Sequence, residues 1–347
     1  MELTHIIKQF AMKGEIKSIK PLGNGHINDT SLVETDCEKY TFQRINTNIF
    51  KNPDELMTNL FAVTEYLKKN YPDELTISYV RTLDGKMYYE CEEGAYRLSV
   101  YVDNVIAPDT DKDEKIFYEC AVAFGRFQRK LADFPADTLF ETIKDFHNTK
   151  WRLDNLKAAV KADKVGRLES VRREVEFALE RESMIDTGVT LPLRVTHNDT
   201  KQNNVLLDEK TFKGVCVIDL DTIMPGLSIN DFGDSIRFGA NTADEDEQDL
   251  DKMHFSLPLF ESYTKGFFEG VGDSLTEEEI NLLPHGAWAM TYECGIRFLT
   301  DYLEGDTYFK TAYPEHNLVR CHTQFKLIYE MEQNKDKMLE IVRKYAK

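Results

Sequence analysis

Apolar residues recur over the first hundred positions in short alternating runs: "IKSIKPLGNGHINDTSLVET", "EKYTFQRIN" and "LTISYVRTLDGKMYYECEEGAYRLSVYV". Leu, Val, Tyr and Phe alternate there with polar residues, and Asn-Gly, Asp-Gly and Glu-Gly pairs break the runs, which predicts a small antiparallel sheet. Between the second and third runs, "NPDELMTNLFAVTEYLKKN" sets Leu56, Leu60, Val63 and Leu67 on one helical face. Asn52 is placed to cap that helix and Pro53 to occupy its first position. The opening "MELTHIIKQFAMKGEIK" reads as a short amphipathic helix.

From about residue 112 the apolar period lengthens to that of helices. The helical segments are "DEKIFYECAVAFGRFQRKLADF", "IKDFHNTKWRLDNLKAAVKA", "RLESVRREVEFALERESM", "EEEINLLPHGAWAMTYECGIRFLTDYLEG" and "FKLIYEMEQNKDKMLEIVRKYA". Residues 193–221 interrupt them, where "NNVLLDEKTFKGVCVIDLD" reads as two short strands joined by a polar turn. The pattern predicts an α+β, two-lobed chain: a sheet-rich N-terminal lobe over 1–104 with one helix, and a larger, mainly helical lobe over 105–347. The boundary falls near Val102 to Pro108, and no repeat or low-complexity tract is found.

With 347 residues the chain can bury a core without disulfides. Its 61 acidic and 43 basic residues give a net charge of -18, which repels nucleic acid and anionic membranes and points to small-molecule partners. No apolar run approaches the ~18 residues of a membrane span. The six cysteines are scattered without a C-x-x-C pair, so free thiols and a cytoplasmic location are expected. Oligomeric state is left open.

The chemistry concentrates in "VTHNDTKQNNVLLDE", where His197, Asp199 and Asn204 have the His-x-Asp-x-x-x-x-Asn spacing of a kinase catalytic loop. Such a loop uses its Asp for the acceptor hydroxyl and its Asn for Mg²⁺. Lys201 is placed to offset charge on a migrating phosphoryl group, and His197 reads as a packing residue. The second hairpin strand leads to Asp219, 20 residues after Asp199, which together with Asn204 and ATP phosphates completes a sufficient oxygen set for Mg²⁺. Asp221 is the reserve candidate. A literal Asp-Phe-Gly at Asp231–Gly233 comes 32 residues after Asp199 and follows a Pro-Gly turn, so Asp231 is expected to brace the catalytic loop from behind.

In the N-terminal lobe, Gly23 and Gly25 form a turn whose amides could approach phosphates, or simply an Asn-Gly turn. "YTFQRIN" lacks the expected strand lysine; its nearest cation is Arg44, and neither Glu55 nor Glu65 is well placed to partner it. There is no Ala-Pro-Glu in the 50 residues after Asp219, which disfavours a protein kinase. A P-loop fails because Gly85-Lys86 is followed by Met87.

These residues resemble the aminoglycoside phosphotransferase-like small-molecule kinases, a family that shares the protein-kinase fold. Within it, "THNDTKQNNVLLD", "CVIDLDTIMPGLSINDFGDSIRFGAN" and "IRFLTDYLEGDTYFKTAYPEHNL" look most like the branch acting on N-acetylhexosamines. The resemblance spans nearly the whole chain, including "GHINDTSLV" and "FQRINTNIF". It implies ATP- and Mg²⁺-dependent phosphorylation of the anomeric hydroxyl of N-acetylglucosamine or N-acetylgalactosamine. Asp199 would be the base, and Asn204 and Asp219 the metal ligands; His26, Phe238, Arg297 and Asp301 would lie near the sugar. Glu293, Arg297 and Asp301 recur every four residues of a predicted helix, as either a site face or a solvated row of ion pairs. Choline, methylthioribose, homoserine or an aminoglycoside are the alternative acceptors, and a non-catalytic pseudokinase is the alternative class.

Overall fold

The computed structural model of the chain describes residues 3–22, 28–108 and 112–346, and every structural count refers to these. A one-turn helix, α1 (Thr4–Ile7), buries Ile6 and Ile7. The alternating runs form β1 (Ile16–Pro21), β2 (Asp29–Thr35), β3 (Lys39–Ile45) and, after helix α2 (Pro53–Asn70), β4 (Tyr79–Val80), β5 (Tyr89–Cys91) and β6 (Gly94–Val100). These strands pair antiparallel in the order β1-β2-β3-β6-β4, with β5 paired to β6. Helix α2 starts as its sequence predicts, with the Asn52 side chain accepting the Glu55 N–H and Pro53 in the first turn.

Strand parity gives this sheet two different cores. Tyr40 and Phe42 of β3, with Tyr96 and Leu98 of β6, pack with α1 and Phe10 on one face. Ile45 and Ala95 turn to the other face, against α2 and the larger lobe. The residues between them, Gln43 and Arg97, are partners in the β3–β6 register and share that second face.

The chain then runs through β7 (Val105–Ile106), α3 (Glu114–Lys130), α4 (Thr149–Ala162), α5 (Arg172–Glu180) and β8 (Arg194–Thr196). The predicted hairpin follows as β9 (Val205–Asp208) and β10 (Gly214–Val217), then β11 (Met224–Gly226). Helices α6 (Ser228–Gly239), α7 (Leu257–Val271), α8 (Glu277–Glu304), α9 (His316–Gln333) and α10 (Lys335–Tyr345) complete the larger lobe. Strand β7 pairs with β9, and β8 pairs with β11. The α+β arrangement of a small antiparallel sheet lobe and a larger helical lobe is the one expected from the sequence.

Two local differences matter. The helix expected from residue 143 begins only at Thr149, where Asn148 caps it by accepting the Trp151 N–H at 3.0 Å. Helix α6 is absent from the sequence reading: Ile229, Phe232 and Ile236 form an apolar stripe, but Asp231, Asp234 and Arg237 are buried as well, so the usual contrast between a buried and a solvated face is lost. It packs on α8 through glycines: a Cβ on Gly233 would collide with the Gly286 carbonyl, and one on Gly286 with the Ile229 carbonyl. Phe232 fills the other side, with the Tyr263 and Phe267 rings at 5.5 and 5.2 Å.

Candidate active site

Between β8 and β9 the backbone leaves the sheet, and the N–H groups of residues 197 to 200 all find side-chain acceptors. Asn198 adopts φ 63°, a left-handed conformation that Asn tolerates better than most residues. Its side chain donates to the carbonyls of Thr196 and Thr222 and accepts the Thr196 hydroxyl, which locks the turn. His197 is fully buried against the edges of Phe124 and Phe127. Its Nε2 meets the Ile218 carbonyl at 2.8 Å and its Nδ1 accepts the Asp199 N–H at 3.2 Å. It packs and orients, as its sequence context suggests.

Helix α6 holds the same loop from behind. Asp231 accepts the N–H groups of His197 (2.9 Å) and Asn198 (2.8 Å), and Gln128 donates to it at 3.1 Å. Asp234 accepts the Thr200 N–H at 3.0 Å with one oxygen and Arg237 Nε at 3.0 Å with the other. Ser235 donates to the Thr200 carbonyl and receives the Tyr263 hydroxyl. The literal Asp-Phe-Gly is therefore a scaffold. Its Asp braces the loop, its Phe fills the core, and its Gly permits the helix contact.

What the loop presents is Asp199, Lys201 and Asn204. Lys201 Nζ lies 2.8 Å from Asp199 Oδ1, and the Asn204 amide donates to the Asp199 carbonyl (2.8 Å) and to Oδ2 (3.3 Å). Burial pushes the Asp199 carboxyl up, but Lys201 outweighs it and holds the group below its usual range. Burial likewise pulls Lys201 down, and Asp199 more than restores it. Because the Asn204 nitrogen is committed to Asp199, its oxygen is the atom left to face a cation.

Asp219 follows β10 at φ 57°. Among the described residues no hydrogen bond or ion pair engages its carboxylate. The residue keeps solvent access, yet burial of its carboxyl against protein, then the charges of Asp221 and Asp199, push the carboxyl up to about 6. A carboxylate crowded by other carboxylates is in a place that favours a cation beside it. Asp219 and Asn204 thus fit an oxygen-coordinated divalent ion. Asp221 does not share that role: it is 3 % exposed and accepts both terminal nitrogens of Arg97, one of them at 3.0 Å, and the Asn28 amide at 2.6 Å.

On the α8 side of the loop, Glu293 is buried between His147 (2.9 Å) and Thr149 (2.8 Å). His147 reaches onward to the Asn198 carbonyl at 3.0 Å, so α8 also supports the catalytic loop. Burial lowers the His147 pKa, but Glu293 raises it further, to a value above normal. Arg297 lies 5.9 and 5.5 Å from the Tyr308 and Phe309 rings. Arg152 is held below its usual range by burial and then by Arg297, so two cations converge here.

A family model described as the phosphotransferase enzyme family matches residues 18–264. The chain belongs to that family. Its fold is similar to that of an aminoglycoside phosphotransferase from Alicyclobacillus acidocaldarius, at 14 % identity and TM-score 0.63 over 98 % of this chain and 95 % of that one. It is also similar to a spectinomycin phosphotransferase solved with ADP and spectinomycin (14 %, TM-score 0.58, 96 % and 98 %). A choline kinase from Cryptosporidium parvum matches at 12 % identity and TM-score 0.59, over 95 % and 93 %. At such identities the shared property is the two-lobed, kinase-like fold.

Several expected site residues are placed differently from their sequence reading. Arg44 is exposed on the face of β3 opposite Gln43, beside Gly94, because parity puts it with Phe42 and away from the larger lobe. Glu65, one candidate partner for it, pairs with Arg81 instead. The cation that does face the loop is Arg97, a lone charge in the strand "AYRLSV"; a charge inside so apolar a strand signals a buried acid elsewhere. Asp301 is also corrected: its oxygens accept the N–H groups of Thr307, Tyr308 and Phe309 and the Asn317 amide, so it shapes a loop and is not open to a ligand. Phe238 is half-buried at the end of α6, where its carbonyl accepts Asn241. Gly23, Gly25 and His26 lie outside the described residues. The row Glu293, Arg297, Asp301 is not solvated, since Glu293 and Asp301 are both buried.

Proposed function

We propose that this phosphotransferase moves the γ-phosphoryl group of ATP to the anomeric hydroxyl of an N-acetylhexosamine. The observation that carries the chemistry is Asp199, an ionised carboxylate held between Lys201 and Asn204 beside Asp219, which has no partner among the described residues. Asp199 orients the acceptor hydroxyl and takes its proton. Lys201 cannot hold Asp199 and a phosphoryl group equally; as it turns to the phosphoryl oxygens, Asp199 regains basicity when the proton must leave. Asn204 and Asp219 would hold Mg²⁺, which supplies charge neutralisation to the phosphates when bound. In this reading residues 1–104 cover the nucleotide, and residues 105–347 carry the loop and the acceptor pocket.

The acceptor assignment rests on the motif resemblance and on one physical feature. Arg152 and Arg297 converge on the acceptor side, while the acids acting on Arg152, Glu293 and Asp145, already accept hydrogen bonds from His147, Thr149 and Asn148. A quaternary ammonium or a polycationic antibiotic would be repelled there, whereas a neutral sugar can accept hydrogen bonds from guanidinium groups and lay a ring face on Tyr308.

Incubation with ATP, Mg²⁺ and a panel of N-acetylhexosamines, plain hexoses, choline, homoserine and aminoglycosides tests both levels. Product phosphorylated at O1 of an N-acetylhexosamine is expected. Product on an amine would overturn the acceptor, and tight nucleotide binding without any product would overturn the catalytic reading.

A further inference from the structure

Three segments of the N-terminal lobe meet the larger lobe at one buried acid. Asp221 accepts the two-pronged grip of Arg97 from β6 and the amide of Asn28, which precedes β2. Arg97, 2 % exposed, donates its remaining Nε to Gln43 of β3 at 2.9 Å. The Asn28 oxygen in turn accepts the Asn46 N–H at 3.0 Å, just beyond β3. Asp221 is thus read by β2, β3 and β6 together.

The same acid sits in the turn Leu220–Thr222, and that turn is tied to the catalytic loop. Thr222 donates to the His197 carbonyl at 2.7 Å, and its own carbonyl accepts Asn198 at 2.8 Å. Asp219 heads the turn in a left-handed conformation at φ 57°. Its backbone is therefore fixed on one side by the catalytic loop and on the other by the sheet. A buried ion pair is weak evidence of stabilisation, because desolvation offsets its attraction, so a pair at this position invites another use.

We infer that the Arg97–Asp221 pair is an interlobe latch that aims Asp219. Arg97 is a positioning residue: it converts the approach of the sheet to the larger lobe into the direction of the Asp219 carboxylate. This rests on the reading of Asp219 as a metal ligand. Lobe closure and metal–nucleotide binding then favour one another, since each stabilises the same turn. A lysine at position 97 keeps the charge but loses the fork that fixes both Asp221 oxygens.

The test is binding of Mn²⁺·ADP to the full chain, followed by the loss of the free Mn²⁺ electron paramagnetic resonance signal. Wild type is compared with Arg97→Lys, Gln43→Met and Asp219→Ala, and with Met338→Ala, a core truncation in α10 remote from the turn. Expected are about tenfold weaker binding for Arg97→Lys and about threefold for Gln43→Met, with the acceptor KM within about twofold of wild type. Met338→Ala should lose thermal stability and keep its affinity. Gln43→Met removes the bond that orients Arg97 and one surface-side bond to Thr30 while leaving the ion pair in place, so it carries the test alone if Arg97→Lys does not fold. Wild-type affinity in the foldable latch variants, with Asp219→Ala weakened, would overturn the latch alone. Losses that merely follow the thermal midpoint, Met338→Ala included, would overturn it as well. Equal binding by wild type and Asp219→Ala would overturn the latch together with the metal-ligand reading beneath it.

Discussion

The catalytic loop and the loop after α8 face the same difficulty, an irregular backbone that must hold one shape, and both meet it with buried aspartates. Asp231 and Asp234 collect the N–H groups of His197, Asn198 and Thr200. Asp301 collects those of Thr307, Tyr308 and Phe309. They differ in what stays outside. The first loop leaves Asp199 and Lys201 poised against each other, while the second presents Tyr308, 68 % exposed, beside Arg297. An acid whose lone pairs are filled by backbone N–H groups is architecture, and an acid that meets a lysine and a side-chain amide, or no partner among the described residues, is chemistry. Residue type does not separate the two classes; hydrogen-bond occupancy does.

Substitutions can break that distinction. Asp199→Asn should lower turnover by about a hundredfold or more while leaving the thermal midpoint nearly unchanged, because general-base assistance contributes ~10²–10⁴; near-normal turnover in steady-state assays would move Asp199 into the architectural class. Asp219→Ala should abolish most metal-dependent activity with little loss of stability, and unchanged Mg²⁺ titration curves would exclude it as a ligand. Asp231→Leu should do the reverse, losing about 2–4 kcal/mol in denaturant unfolding because two buried N–H groups lose their acceptor. Asp301→Asn is milder, at about 1–2 kcal/mol, and should raise the acceptor KM far more than the nucleotide KM, since it loosens only the loop carrying Tyr308.

The smallest effect concerns pH. The folded His147 pKa is raised above its ordinary 6.5, so its contribution is fully present below that value and is lost as pH climbs through the raised one. As pH rises from below 6.5 through that raised value, wild type should lose stability relative to His147→Gln. Parallel pH profiles for the two would show that the bond to Glu293 carries no charge.

Features encoded over a few residues were legible in the sequence: the Asn52 cap, the β9–β10 hairpin, and the Asp199 to Asn204 spacing. The Arg97–Asp221 pair was not, because its members are separated by 124 positions and only the sheet brings them together. Arg44 misled because a strand's alternation must be anchored by its neighbours before a face can be assigned. Helix α6 is hard to read for a related reason: Asp231 can be assigned a bracing role, but the buried places of Asp234 and Arg237 follow only from the backbone that the fold brings to them. Asp301 is expected near the sugar from its motif, yet position alone does not say that its oxygens are taken by the N–H groups of Thr307, Tyr308 and Phe309.

The crossing of α6 over α8 at Gly233 and Gly286 has a consequence for what substitutions this enzyme can tolerate. A single methyl group at Gly286, in a place without any reactive atom, would lift α6 and carry Asp231 and Asp234 away from the backbone they hold. The fine alignment of the reacting groups is therefore staked on two residues that have no side chain at all.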